Sequence, residues 1–354
     1  MNARGKRMSL SKSRGIIAAL VLIIVVLAAS TIYFATRPAP QPAAPTAEVK
    51  RIQFGAGGPG GTWFYMVGGA ATLLTQEMKG KYIVSVGASA GSVENVRRVA
   101  AGEYDVALAH ASTCYDAWNG VGTFKDIGKK QDFRMLCAAY LSPHTFVTLK
   151  DTGIKGMQDL VGKRVNTGPP GSGTEVASKN ILMALGLYDK IKVSNMEFGD
   201  AGMALLDGRI DVSCMSGAPA SQIVEVAAQK PIYIIPMTSE EMDKVIAQHP
   251  YYAKGVLKAK TYQGQDEDVP CIVFMVYIIA HKNVPDDFIK EMLRILFDPK
   301  SAPFLTKAHA QWADLNPGLE GMRALKIPLH KAAVEYWRDK GLSVPAELIP
   351  PEMK

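Results

Sequence analysis

The order of strand-like and helix-like segments constrains the fold of this chain more than any other feature. From residue 49 onward, β-type apolar runs alternate with amphipathic helical ones, beginning with Val49–Phe54, Trp63–Met78, Tyr82–Val86, Val93–Ala101 and Tyr104–Ala109. This rhythm is typical of α/β domains with a mostly parallel sheet. At 354 residues, the chain is long enough for two such domains.

A second α/β unit follows a long extended segment, Phe133–Lys150, and another long extended segment, Cys271–His281, comes after that unit. The hexapeptide GEYDVA at Gly102 has a counterpart, GRIDVS, at Gly208. In both places glycine ends a helix before a short strand. We therefore predict two similar lobes with a ligand cleft between them, and a single larger α/β domain is the alternative. The predicted lobes are residues 49–142 plus 275–354, and residues 143–274.

An uncharged apolar run at residues 16–35 follows a cluster of basic residues that ends at Arg14. About 20 residues suit a membrane span better than the ~7–15-residue core of a cleaved signal. The basic cluster is expected to stay in the cytoplasm. We predict an N-terminal hydrophobic helix at 1–36, acting as an inner-membrane anchor or a cleaved signal, and a proline-rich linker at 37–48. The body would then be periplasmic or otherwise extracytoplasmic.

Six of the seven net positive charges belong to this amino-terminal segment. Residues 1–37 contain six basic and no acidic residues, which leaves 34 basic and 33 acidic residues for the rest. A nearly neutral body argues against nucleic acid as a partner. Neither the four cysteines nor the six histidines have the spacing of a zinc or redox motif. We predict no metal and no cofactor.

Three glycine-rich loops each follow a strand and open a helix. They span Phe54–Thr62, Gly87–Ser92 and Thr167–Glu175. The first turn of a helix has unpaired N–H groups and a partial positive charge, so such loops can hold an anion without a lysine. Helix capping alone would also account for Ser92 and for the Ser172-x-x-Glu175 capping box.

Each loop also matches part of an enzyme motif. The first contains G-x-G-x-x-G, but Pro59 interrupts it and no acidic residue follows the second strand, which argues against a dinucleotide. The third lacks the lysine of a phosphate-binding P-loop. The second reads G-x-S-x-G around Ser89, the context of a hydrolase nucleophile. A membrane-anchored serine hydrolase using Ser89, with Asp211 and His330 as partners, is therefore the alternative function.

Polar residues in and after the first two loops are the candidate ligand contacts. Hydroxyl and amide groups there would donate hydrogen bonds to a ligand. A histidine at the end of the third predicted strand would lie at the carboxyl edge of the sheet, where ligands bind in α/β folds. These candidates are Thr62, Tyr65, Ser89, Ser92, Asn95 and His110.

Five stretches in order resemble the TAXI family, the extracytoplasmic solute receptors of TRAP transporters. The resemblance runs from about residue 50 to residue 340. The stretches are GGPGGTWFYMVGGA at 57–70, SAGSVENVRRVAAGEYDVALAH at 89–110, GKRVNTGPPGSGTEVASKNILMALGL at 162–187, LLDGRIDVSCMSGAPA at 205–220 and IPLHKAAVEYW at 327–337.

The resemblance implies a two-lobed periplasmic-binding-protein fold of type II, with a hinge and a cleft. It implies a receptor without catalysis or ATP, which closes on a small carboxylate and delivers it to an ion-gradient-driven TRAP permease. Acidic amino acids and dicarboxylates such as glutamate or 2-oxoglutarate are the implied solutes. Besides the candidates above, the implied ligand positions are Gly171, Ser172, Gly173, Thr174, Ser216 and Gly217.

Overall fold

The computed structural model describes residues 20–28, 30, 31, 33, 36, 48–316, 318, 319 and 321–354. Residues 49–354 form one compact unit, and the residues before them form another. Residues 20–28 are helical, and the large apolar side chains from Leu20 to Leu27 are exposed. The remainder of the predicted helix and linker lies mostly outside the described residues. Among the residues described, no helix combines the length and the apolarity that crossing a membrane requires.

Ten described strands form one mixed sheet. They are β1 Lys50–Gly55, β2 Tyr82–Gly87, β3 Val106–His110, β4 Phe133–Leu149, β5 Arg164–Asn166, β6 Lys192–Ser194, β7 Val212–Ser216, β8 Ile232–Ile235, β9 Ala253–Leu257 and β10 Val269–His281. Their order is β2-β1-β3-β10-β4-β7-β5-β6, with β8 beside β4 and β9 beside β10. The β1 and β5 pairings are parallel, whereas β4 and β10 pair antiparallel with each other.

Helices cover the sheet and connect its strands. The described α-helices are Thr62–Glu77, Ser92–Ala100, Ala111–Asn119, Gly173–Ala184, Phe198–Leu206, Ser221–Gln229, Ser239–Gln248, Asp286–Leu296, Ala302–Ala308, Met322–Leu325 and Lys331–Asp339. Toward the carboxyl end, the chain forms the helix Ala302–Ala308 and then a 3-10 turn, Ala310–Asp314. Pro303 lies in the first turn of that helix, where its fixed φ favours a helix start.

The two halves of the sheet repeat one pattern. Strands β2-β1-β3 at one end correspond to β6-β5-β7 at the other, and each set is followed by a long antiparallel strand. The repeated sequence around Gly102 and Gly208 has a structural counterpart. The Asp105 carboxylate accepts a hydrogen bond from the Gln53 N–H at 2.7 Å. The Asp211 carboxylate accepts one from the Arg164 N–H, also at 2.7 Å. The same sequence element thus ties the third strand to the first in both halves.

The hydrophobic core changes where β4 and β10 pass from one half to the other. Tyr140 and Val276 pack in a cluster with the first half, whereas Phe146 and Phe274 pack with the second. Neighbouring Val147 belongs to a third cluster, because successive strand residues point to opposite faces of a sheet. The body is therefore a two-lobed α/β structure of the periplasmic-binding-protein type, and the predicted fold class is confirmed.

The four cysteines take part in packing. Cys114, Cys137, Cys214 and Cys271 are all free and buried. Burial raises the pKa of each thiol well above its usual range. They behave as small apolar side chains of the core.

Candidate functional site

A small cavity lies between the two halves, at the carboxyl ends of the parallel strands. Its volume is about 40 Å³. The lining residues are Gly57, Gly61, Thr62, Trp63, Ala90, Gly91, Ser92, His110, Ser172, Gly173, Thr174, Phe198, Met215 and Ser216.

Five helices meet at this cavity. Four of them have their first residue in its wall, and the fifth has its N-cap there. The four begin at Thr62, Ser92, Gly173 and Phe198, and the N-cap of the fifth is His110. Each helix start supplies N–H groups without intrahelical partners and about half a positive charge. These helix starts direct partial positive charge toward the cavity, although Glu94, Glu175 and Asp200 lie in the first turns of three of the helices.

Among the described residues that line the cavity, none has a charged side chain. Two serines instead present hydroxyl groups, each of which already accepts one backbone hydrogen bond. Ser92 Oγ accepts a hydrogen bond from the His110 N–H at 2.8 Å. Ser172 Oγ accepts one from the Glu175 N–H at 3.0 Å, as a helix cap. Each hydroxyl proton therefore remains available to donate to an anion.

One further polar atom in the wall, Thr62 Oγ1, is buried without a hydrogen-bond partner among the described residues. Thr62 is 7% exposed. A buried polar atom left unpaired costs about 1–3 kcal/mol. Thr62 Oγ1 would gain a partner from a polar solute in the cavity.

The halves touch each other across this cavity. The His110 ring packs between Trp63 and Phe274, with ring centroids 4.9 and 4.5 Å away. Gly173 of the opposite half lies so close that a Cβ there would overlap His110 Nδ1. A Cβ on Gly91 would lie 3.4 Å from Ser172 Cα. The two halves are thus in contact at this point, and their close approach depends on glycine at positions 91 and 173.

The buried histidines make the stability of the fold depend on pH. Burial lowers the pKa of His110 and of His144 from 6.5 to about 3, although the Gly173 backbone opposes part of the effect on His110. Below about pH 6.5 the unfolded chain therefore binds protons that the folded chain does not. The free energy of unfolding is expected to fall between pH 6.5 and about 3, by up to about 1.4 kcal/mol per pH unit for each ring.

Urea unfolding of the wild type and of His110→Asn, at about pH 7 and about pH 5, measures this effect. The variant should lose less stability than the wild type over that interval, because one buried base is gone. Equal losses in the two proteins would contradict the assignment of His110 as a buried neutral ring.

Seven of the twelve predicted ligand residues line the cavity together: Thr62, Ser92, His110, Ser172, Gly173, Thr174 and Ser216. The other five do not line it. Tyr65 is 46% exposed. Gly171 and Gly217 have positive φ and donate their N–H groups to Glu175 Oε2 and to the Pro143 carbonyl, respectively.

Ser89 and Asn95 are turned into the protein. The Ser89 hydroxyl donates to Asn95 Oδ1 at 2.7 Å. Asn95 Nδ2 donates to the carbonyls of Ala56 at 2.6 Å and Leu108 at 2.8 Å. These bonds join the first two loops to β3. Ser89 therefore has neither the histidine nor the free hydroxyl that a hydrolase nucleophile needs.

The other residues of the alternative triad are engaged elsewhere. Asp211 accepts hydrogen bonds from the Arg164 side chain. His330 Nδ1 accepts a hydrogen bond from the Ala332 N–H as a helix cap. The hydrolase alternative is not favoured. Within the described part of the chain, no group of three or more His, Cys, Asp or Glu side chains could hold a metal ion.

The family is decided by a match over most of the body. Residues 54–341 match the NMT1-like family. The chain belongs to the NMT1-like family. The matched range includes every residue that lines the cavity.

Three solved structures are similar to this NMT1-like chain at low sequence identity. The alkanesulfonate-binding protein SsuA from Xanthomonas axonopodis pv. citri, bound to MOPS, is 12% identical with a TM-score of 0.48, covering 86% of this chain and 97% of that one. SsuA from Escherichia coli is 12% identical with a TM-score of 0.45, covering 85% and 96%. A structure on glutathione import through GshT and the cystine importer TcyBC of Streptococcus mutans is 13% identical with a TM-score of 0.47, covering 78% and 100%.

Several lining residues of this NMT1-like chain were missed by the sequence interpretation. Trp63 comes directly after the first loop, in the first turn of the helix Thr62–Glu77. Its Nε1–H donates a hydrogen bond to the Tyr140 hydroxyl at 2.6 Å. Phe198 is the first residue of the helix Phe198–Leu206. A tryptophan just after a glycine-rich turn was the available signal for Trp63. Nothing in the local pattern distinguished Phe198 or Met215 from ordinary core residues.

Proposed function

We propose that this chain is an extracytoplasmic solute receptor that captures a small carboxylate between its lobes and delivers it to a TRAP permease. It is a substrate-binding receptor of the periplasmic-binding-protein type. The proposed solutes are acidic amino acids and dicarboxylates such as glutamate or 2-oxoglutarate. The observation that carries this proposal is the meeting of five helix starts at one cavity, whose described lining residues include no cationic side chain.

A carboxylate is the ligand that such a wall suits best. Backbone N–H groups at the starts beside Ser92 and Gly173 would donate to its oxygens, and the hydroxyls of Ser92 and Ser172 would add two donors. A hydrogen bond to a charged group is worth roughly 1.5–3 kcal/mol. Several such bonds account for a micromolar dissociation constant, which corresponds to about −8 kcal/mol.

Lobe closure would enclose the solute. We assign the lobes to residues 49–142 plus 275–354 and residues 143–274, so that β4 and β10 form the hinge. The change of core cluster between Tyr140 and Phe146 supports this boundary.

The remaining parts of the proposal concern location and partner. The exposed apolar side chains from Leu20 to Leu27 and the basic cluster before them support an inner-membrane tether, with the body in the periplasm. The motif order from Gly57 to Trp337 supports the TAXI branch and hence a TRAP permease. Coupling to an ion gradient rather than to ATP would distinguish such a permease from an ABC system.

A thermal-shift screen tests the proposed solute class. The purified chain is heated with glutamate, 2-oxoglutarate and other small acids, and with glutamine and sugars as neutral controls. A solute at 100 times its dissociation constant adds about 2.7 kcal/mol of stability, so an acid of the right class should raise Tm by several degrees. Equal shifts with acids and with neutral controls, or no shift with any acid, would reject the carboxylate assignment.

A further inference from the structure

One wall of the cavity contains a chain of three side chains that the sequence interpretation did not connect. Ser216 lines the cavity at the end of β7. His144 is its register partner on β4 and is fully buried. His144 Nδ1 lies 3.0 Å from Ser216 Oγ, and His144 Nε2 lies 3.3 Å from Ser178 Oγ. The direction of these hydrogen bonds decides what Ser216 presents to a solute.

The direction is fixed at the Ser178 end. Ser178 Oγ lies 2.8 Å from the Thr174 carbonyl and 3.0 Å from the Thr167 carbonyl, and it can bond to them only by donating. Its single proton is therefore committed to these carbonyls. If the proton pointed at His144 instead, the hydroxyl oxygen would face two carbonyl oxygens with no hydrogen between them. Ser178 must accept from His144, so the ring proton is on Nε2.

The tautomer then determines the role of Ser216. His144 is neutral because burial lowers its pKa to about 3. A neutral ring with its proton on Nε2 has only a lone pair at Nδ1. The 3.0 Å contact to Ser216 is therefore a bond that Ser216 donates. The hydroxyl proton points away from the cavity, and the oxygen lone pairs face it.

We propose that His144 is a positioning residue that makes Ser216 a hydrogen-bond acceptor, so that the cavity selects solutes carrying a donor group at that end. This rests on the proposed function, and it narrows the solute to a carboxylate that also bears a hydroxyl or amino group. Ser92 and Ser172 each accept one backbone hydrogen bond and keep a proton that they can donate. The cavity would therefore offer donors at these two serines and an acceptor at Ser216.

The tautomer can be tested without any solute. Nitrogen-15 NMR of the labelled chain near neutral pH reports which ring nitrogen carries the proton, and His144→Asn identifies the signals by their loss. We expect a protonated Nε2 and an unprotonated Nδ1. In Ser216→Ala only the Nδ1 shift should move. Ser213→Ala, on the same strand, is the control and should move neither. A proton on Nδ1 would overturn the proposal.

The selectivity can be tested with three acids that share one carbon frame: glutamate, 2-hydroxyglutarate and 2-oxoglutarate. The wild type should bind the amino or the hydroxy acid at least about tenfold more tightly than the oxo acid, which has no donor there. Ser216→Ala should bring the ratio close to one, and Ser216→Thr should restore it. An unchanged ratio in Ser216→Ala would overturn the proposal. Failure of all three acids to bind would instead reject the carboxylate solute, and the NMR measurement would still decide the tautomer.

Discussion

Gly173→Ala is expected to lower the affinity for solute by about 5- to 150-fold while leaving the ligand-free lobes folded. A Cβ at this position would lie 2.6 Å from Cε1 and 2.8 Å from Cγ of His110. The ring is held between Trp63 and Phe274 and has little room to retreat. Overpacking of this kind costs roughly 1–3 kcal/mol. The ligand-free protein would avoid this cost by opening, whereas binding a solute between the lobes would incur it.

Calorimetric titration with the acid found in the screen measures this loss. Gly68→Ala is the matched control, because it lies in the helix Thr62–Glu77 with nothing within 4 Å of an added Cβ. It should keep full affinity and gain a little stability, since alanine favours a helix over glycine. Adding His110→Ser to Gly173→Ala should recover part of the binding. Full affinity in Gly173→Ala alone would mean that binding does not need the closed form.

Asn95→Ala is expected to destabilise the fold by about 3 kcal/mol. The substitution removes the donors to the Ala56 and Leu108 carbonyls and the acceptor of the Ser89 hydroxyl. Asn95 is fully buried, so water does not replace these bonds. Each buried group left unpaired costs about 1–3 kcal/mol, partly offset where the loops relax.

Urea unfolding of the ligand-free protein measures this change. Asn119→Ala provides the comparison, because Asn119 Nδ2 makes a single bond to the Tyr115 carbonyl near a helix end. Its expected cost is below about 1 kcal/mol. If Asn95→Ala kept the stability of the wild type but lost affinity for solute, Asn95 would be a ligand contact rather than part of the scaffold.

The sequence carried enough information for the fold because its signals are local. Glycine-rich turns after apolar strands predicted the loops that start three of the cavity helices. The repeat around Gly102 and Gly208 reflects one backbone contact, made by Asp105 and by Asp211. That contact requires a carboxylate one residue before a strand, so both copies of the repeat have an aspartate at that position.

The candidate site was harder to predict because it depends on where side chains point. Ser92 and Ser89 lie in the same loop, yet one lines the cavity and the other bonds to Asn95. His144 lies in the middle of a long strand and had no sequence signal of its own. Its partnership with Ser216 follows from the β4–β7 register, which joins residues 72 positions apart.

The most direct test of the central claim is a crystal structure of the chain grown with the acid that gives the largest thermal shift. We predict that the acid is enclosed between the lobes, with a carboxylate oxygen within hydrogen-bond distance of the backbone N–H groups at the helix starts beside Ser92 and Gly173. Density for the acid at another surface, or a cavity that stays free of a saturating acid, would contradict the account.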